Sequence, residues 1–378
     1  MKKKKKILVC IGTRADAIKL CPLYHEFARC DSFEVLLVNC GQHLELIRDV
    51  LEYFQVTPDY SLGIMKHGRE PLDTAAIARE RLSPILSDLR PDMLIVQGDT
   101  ASSLGCAEAG ADAGVCVVHV EAGLRTHDYR DPYPEEEFRV RISALSSLHF
   151  APTEGAKRNL TAEGVEDTRI FTVGNTVTDA LRRELEQPRV ACELVRSLDY
   201  RAGVLLLTCH RRENLTETDG RSGAENIFSA VSRLIEKFPA LTVVFPIHKN
   251  ERVREIYSRV KINSDRMLVC EPLDYPSLVY LLSRARLVIT DSGGICEEAT
   301  SLGTPTVIAR NLTERPEALR SGIIKLSGRD EESVYSAAID LLEKEAPTAI
   351  PRKFCDFTFG DGKVCERIVD RIRRQWEV

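Results

Sequence analysis

The chain has 378 residues, of which 43% are apolar and 29% charged, and its net charge at pH 7 is −5. These values describe a soluble globular protein long enough for two domains. They exclude a chain drawn to nucleic acid or to anionic membranes by bulk charge.

The opening lysine run is basic, but the apolar stretch behind it, ILVCIG, is cut off by Thr13 and Arg14 and is too short for a signal peptide. No stretch reaches the roughly 18 apolar residues of a membrane helix. The 12 cysteines include no C-x-x-C pair and none at ligand spacing from a histidine. Cys10, Cys116 and Cys270 lie inside apolar runs, where the thiol acts as a small hydrophobe. The chain therefore reads as a reduced, cytoplasmic protein without a metal site.

In chain order, the strand candidates of the first half are KILVCIG, FEVLLVN, DMLIVQG, VCVVHVE, LHFAPT and RIFTVG. Charge and proline then rise over residues 182–194, RRELEQPRVACEL, which marks a boundary. Beyond it come GVLLLTC, LTVVFPIH, RMLVCEP, RLVITD and TPTVIAR. Continuously apolar strands are covered on both faces, as in parallel sheets flanked by helices. Segments such as PLDTAAIARERLSPILSDL and GAENIFSAVSRLIEKF supply the helical periodicity between them. The expected fold is α/β, with two Rossmann-like doubly wound domains, 1–180 and 200–355, facing a cleft; the last helix, 361–378, packs back on the first domain. Ligands of such sheets bind beyond the carboxyl ends of the strands, so the residues there carry the information.

The first strand empties into GTRADAIK. A redox dinucleotide site needs G-x-G-x-x-G at this point, and that pattern occurs nowhere in the chain. Arg14 and Lys19 stand there instead, either as a solvated helix start or as two cations for an anionic ligand. Gln42 and His43 follow the second strand. Asp99, Glu121 and Glu135 each follow a strand or turn; they are either caps and surface charges or carboxylates that exchange protons in a cleft. His119 lies within an apolar strand and reads as structural.

In the second half, His210, Arg211 and Arg212 directly follow a strand and suit a phosphate. His248 also ends a strand, as a packing residue or a cleft residue. The stretch TDSGGICEEA has two readings. It is a tight strand-to-helix turn whose acids complement the helix dipole, or it is half of a nucleotide site. In the second reading the diphosphate sits on Ser292, Gly293 and Gly294 at a helix N-terminus, and a glutamate holds the ribose diol.

These stretches, together with PDYSLGIMK, HFAPTEGAKRNL, VGNTVTDAL, EPLDY and ERPEAL, run in order from about residue 7 to residue 326. In that order they resemble the non-hydrolysing UDP-N-acetylglucosamine 2-epimerases. The chain departs from that family's pattern at Ala15-Asp16, Leu44, Phe138, Cys296 and Thr300. The resemblance implies a glycosyltransferase-B-like fold and interconversion of UDP-GlcNAc and UDP-ManNAc without a cofactor. The reaction expels UDP to leave 2-acetamidoglucal and then adds it back. The alternatives are a hydrolysing epimerase that releases ManNAc and UDP, and a 2-epimerase of a modified UDP-hexosamine. The resemblance puts UDP on Arg14, Lys19, His210, Ser292, Gly293, Gly294 and Glu298, with the uracil near Tyr275. It makes Asp99, Glu121, Glu135 and His210 catalytic, and assigns Gln42, Arg211 and His248 to an activating second UDP-GlcNAc. It also implies a homodimer.

Overall fold

The computed structural model describes residues 4–375 apart from 43, 67, 219, 261, 263 and 345–349, so His43 lies outside the described residues. The chain divides into two compact units, Met1–Arg182 with Phe359–Val378, and Arg183–Thr358.

The first unit is built on seven parallel strands: β1 (Lys5–Ile11), β2 (Phe33–Asn39), β3 (Tyr60–Ser61), β4 (Met93–Gln97), β5 (Cys116–Val120), β6 (Leu148–Ala151) and β7 (Ile170–Thr172). Their order is β3-β2-β1-β4-β5-β6-β7. The chain thus works outward from β1 to one edge, then restarts beside β1 and works to the other. That reversal makes β1 and β4 the switch point, where neighbouring strand ends diverge and leave a crevice. Ile7, Leu8, Val9, Leu94, Ile95 and Val96 are fully buried, which is why these strands read as unbroken apolar runs. The helix Val364–Gln375 belongs to this unit: Asp179 accepts from the amides of Val364 and Cys365, at 3.0 and 2.9 Å, and so caps it.

The second unit repeats the plan. Its strands are β8 (Val204–Thr208), the short hairpin β9 (Glu217–Thr218) and β10 (Arg221–Ser222), β11 (Thr242–Pro246), β12 (Met267–Cys270), β13 (Leu287–Thr290), β14 (Thr306–Ile308) and β15 (Ile324–Leu326). The six-stranded sheet is parallel, in the order β12-β11-β8-β13-β14-β15, so the switch point lies between β8 and β13. A core containing Leu205, Phe228, Phe245, Leu287 and Val307 holds the helices against it. Every strand expected from the sequence is present. The two-residue strands β3, β9 and β10, too short to carry a periodicity, were not foreseen, nor was the three-residue β15.

Candidate functional site

In the first unit the β1 end is set by a capping box. Thr13 caps the helix Arg14–Ala28, its hydroxyl accepting from the Asp16 amide, while Asp16 Oδ2 accepts from the amides of Gly12 (3.0 Å) and Thr13 (2.9 Å). Burial pushes the Asp16 carboxyl up to about 6, against the pull of those hydrogen bonds and of Lys19. Arg14, at the start of this helix, is half-buried.

Lys19 is buried farther along the helix, and its ammonium donates to Glu121 Oε2. The same oxygen accepts from the Asn175 amide. Glu121 follows β5 in the left-handed region, with φ +64°. Asp99, just past β4, accepts from Arg139 Nη2 at 2.5 Å. Arg139 is steadied in turn by Glu136, at 3.0 Å, whose other oxygen accepts from the amides of Thr126 and His127. Of the three consecutive glutamates, Glu136 thus braces a loop and Glu137 pairs with Arg141 at 3.2 Å. Glu135 is the half-buried first residue of the helix Glu135–Leu145. Gln42 accepts from the Ser102 amide at 3.1 Å, which ties the β2 end to the helix after β4.

In the second unit Asp291 organises the switch point. Its Oδ2 accepts from the amides of His210 and Arg211, both at 2.9 Å, and from Asn214 Nδ2 at 3.0 Å. Its Oδ1 lies 3.2 Å from His210 Nδ1. Burial alone raises such a carboxyl. Here the adjacent His210 and the amide donors outweigh it and hold Asp291 below the usual carboxylate range. The ring of His248 stacks on His210, with centroids 5.2 Å apart and planes 18° from parallel.

Ser292 is the N-cap of the helix Gly293–Leu302, yet its hydroxyl makes no capping hydrogen bond. The two glycines behind it differ in purpose. A Cβ on Gly293 meets Arg315 Nη1 at 2.4 Å, so this glycine makes room for an arginine, whereas a Cβ on Gly294 meets no atom within 4 Å. Gly294 is the one beside which space is open. The paired glutamates also separate. Glu297 accepts from Arg315 Nε at 2.7 Å, while Glu298 accepts from the buried Tyr275 hydroxyl at 2.9 Å. Arg315 also donates to Glu314 at 2.5 Å, and Arg310 to the far oxygen of Glu314 at 2.8 Å.

Within the first unit, Arg14, Gln42, Asp99, Glu121 and Glu135 therefore stand at strand ends or helix starts, and Lys19, farther along its helix, lies directly on Glu121. Within the second, His210 and Arg211 gather around Asp291, His248 stacks on His210, and Tyr275 is turned onto Glu298. Sequence reasoning missed Asn175, Arg139, Asp291 and Arg315 as residues that hold these groups. Asn175, Asp291 and Arg315 lie in the stretches VGNTVTDAL, TDSGGICEEA and ERPEAL, and Arg139 lies four residues after Glu135, but neighbours that make their roles visible are remote in sequence.

Chemically, the first unit offers buried carboxylates held by cations. The second offers a helix N-terminus beside an imidazole and a fixed carboxylate that can accept from a diol. Residues 25–373 match the family model described as UDP-N-acetylglucosamine 2-epimerase. A UDP-N-acetylglucosamine 2-epimerase of Yersinia pestis is 39% identical over 375 residues, covering 97% of this chain and 98% of the relative. The crystal structure of UDP-GlcNAc 2-epimerase from Neisseria meningitidis bound to UDP-GlcNAc superposes with a TM-score of 0.89 at 33% identity, covering 98% of this chain and all of that one. The S. aureus MnaA-UDP co-structure gives a TM-score of 0.88 at 32% identity, covering 99% of this chain and 97% of that one. With the fold, the strand-end residues and these likenesses in agreement over nearly its full length, the chain belongs to the UDP-N-acetylglucosamine 2-epimerase family.

Proposed function

We propose that the protein is a non-hydrolysing UDP-N-acetylglucosamine 2-epimerase that interconverts UDP-GlcNAc and UDP-ManNAc. The hydrogen on C2 is not acidic, because no carbonyl adjoins that carbon. The route proposed breaks the C1–O bond to UDP while a carboxylate takes the C2 proton, leaving 2-acetamidoglucal. Protonation of C2 from the opposite face and return of UDP to C1 complete the inversion. Electrons and protons balance without an oxidant, in keeping with a sequence that lacks the dinucleotide fingerprint.

The observation that carries this reading is the pairing of Glu121 with Lys19 and of Asp99 with Arg139, both largely buried. The adjacent cations hold these carboxylates in place and so fix where a proton is taken or given. Asp99, Glu121 and Glu135 are the proposed proton-transfer groups. Arg14, His210, Ser292 and the amides of Gly293 and Gly294 stabilise the departing diphosphate, and Lys19 adds charge while positioning Glu121. Glu298, oriented by Tyr275, accepts from the ribose diol. Gln42, Arg211 and His248 are assigned to an activating second UDP-GlcNAc; the contact of His248 with His210 supports a link between effector and leaving group. A cytoplasmic homodimer completes the proposal, and light scattering tests the dimer. Among the described residues no helix is long and apolar enough to cross a membrane.

The test is proton NMR of the protein with UDP-GlcNAc in heavy water. The expected product is UDP-ManNAc with deuterium at C2. Free ManNAc with UDP transfers the chain to the hydrolysing class, and unchanged substrate overturns the reading.

A further inference from the structure

His119 lies on β5, two residues before Glu121, and is fully buried. Its Nε2 is 2.8 Å from the carbonyl oxygen of Gly98. A carbonyl only accepts, so the ring donates through Nε2, and since burial keeps the ring neutral it is the tautomer with its proton there. The amide of Gly98 donates to the Val120 carbonyl at 3.0 Å. β5 therefore holds both backbone polar groups of Gly98, the residue that immediately precedes Asp99.

Gly98 sits at φ +64°, a conformation that glycine leaves and re-enters at little cost. Its peptide link to Asp99 stays put only if something grips it, and the grip on the carbonyl is a side chain. A Cβ on Gly98 stands 3.3 Å from Glu121 Oε1, so the turn that presents Asp99 also lies against the carboxylate of Glu121. One strand thus sets both acids, Glu121 through its own backbone and Asp99 through the His119 ring.

We propose that His119 is a positioning residue for the Asp99 and Glu121 pair, its Nε2–H fixing the Gly98–Asp99 peptide and with it the separation of the two carboxylates. The inference rests on the proposed roles of those carboxylates in proton transfer. A displaced carboxylate slows proton transfer at C2 but leaves most of the grip on UDP intact, because His210, Ser292, Gly294 and Glu298 are in the second unit. Misplacement by about 1 Å costs on the order of 10²-fold in rate.

The test compares His119→Gln with His119→Asn. Both are polar and neutral, but the Gln amide nitrogen falls near the position of Nε2, whereas that of Asn stops short of it. Three quantities are measured: UDP affinity by calorimetry, kcat for epimerisation, and deuterium exchange at C2 of UDP-GlcNAc. Gln is expected to keep kcat within about tenfold of the wild type, and Asn to lose about 10²-fold in kcat and exchange together, with UDP affinity unchanged in both. Equal kcat in folded Gln and Asn variants overturns the positioning role, as does a parallel fall of kcat and UDP affinity. His119→Phe, which keeps the ring and removes the donor, repeats the comparison and is expected to behave as Asn; near-normal kcat in it also overturns the role. If the wild type itself shows no exchange at C2, the functional reading fails and takes the positioning role with it. Exchange in the wild type with Gln and Asn alike overturns the positioning role alone.

Discussion

Lys19 and Glu121 leave 6% and 5% of their side chains exposed, so each is the other's main substitute for water. Removing one partner of such a pair costs about 3–5 kcal/mol, whereas replacing both by apolar groups is close to neutral. Lys19→Met is therefore expected to lower Tm sharply. The double variant Lys19→Met/Glu121→Leu is expected to recover much of that loss and none of the turnover. Asp99→Asn, Glu121→Gln and Glu135→Gln are each expected to cut kcat by about 10²-fold while UDP affinity holds, as steady-state kinetics and calorimetry can check. Two histidines supply a pH test. His119 and His149 are register partners on β5 and β6, both buried. Burial pushes His119 down to about 4 and His149 to about 3; for His149 the neighbouring His119, Arg169 and Arg125 add to the effect. In the unfolded chain such rings take up protons near 6.5, so their contribution to stability is present above that pH and is lost as pH falls toward 4. Asp16, raised to about 6, and Asp179, also raised by burial, act in the opposite direction, but the two histidines are displaced farther from their ordinary value. Tm is thus expected to fall from pH 7 to pH 5. His149→Leu, which removes the titrating ring, is expected to shrink that fall; an unaltered pH profile counts against this account. At this scale the sequence showed the acids but not their holders. Glu297 and Glu298 are adjacent in sequence, and only the packing of Arg315 and Tyr275 tells them apart.

The strands were legible because burial on both faces leaves an unbroken apolar signature, and the switch-point turns were legible because glycine and charge follow each strand directly. The purpose of those glycines was not. TDSGG suggested two residues kept small for a ligand, yet one of them is small for Arg315. This separates two substitutions that look alike. Gly293→Ala drives a methyl group into a guanidinium pinned by Glu297 and Glu314, and is expected to lower Tm by an amount typical of overpacking, about 1–3 kcal/mol. Gly294→Ala meets nothing within 4 Å and is expected to leave Tm nearly unchanged while weakening UDP at least tenfold, about 1.4 kcal/mol. Thermal unfolding with and without UDP distinguishes the two, and equal effects on Tm refute the assignment.

Each unit has its own parallel sheet and its own core, so each is expected to melt as a cooperative body. On the proposed assignment most of the groups that hold the nucleotide lie in Arg183–Thr358, with Arg14 and Lys19 added from the first unit. At about 100 times its Kd a ligand adds about 2.7 kcal/mol, which moves the transition of a unit this size by about 5–10 °C. Calorimetry is expected to show that shift in one transition and a smaller one in the other. The repeated α/β plan was readable from the order of strands, because alternation of buried strands and amphipathic helices admits few architectures.

The helix Val364–Gln375, capped by Asp179 and assigned to the first unit, also bears on how the protein is made. A ribosome delivers the proposed acids early, yet the fold that carries them is finished only after the whole second unit has been translated. A nascent chain must therefore keep an apolar seam covered for most of its synthesis, and a premature stop codon near the 3′ end of the message is expected to damage the part of the enzyme encoded first.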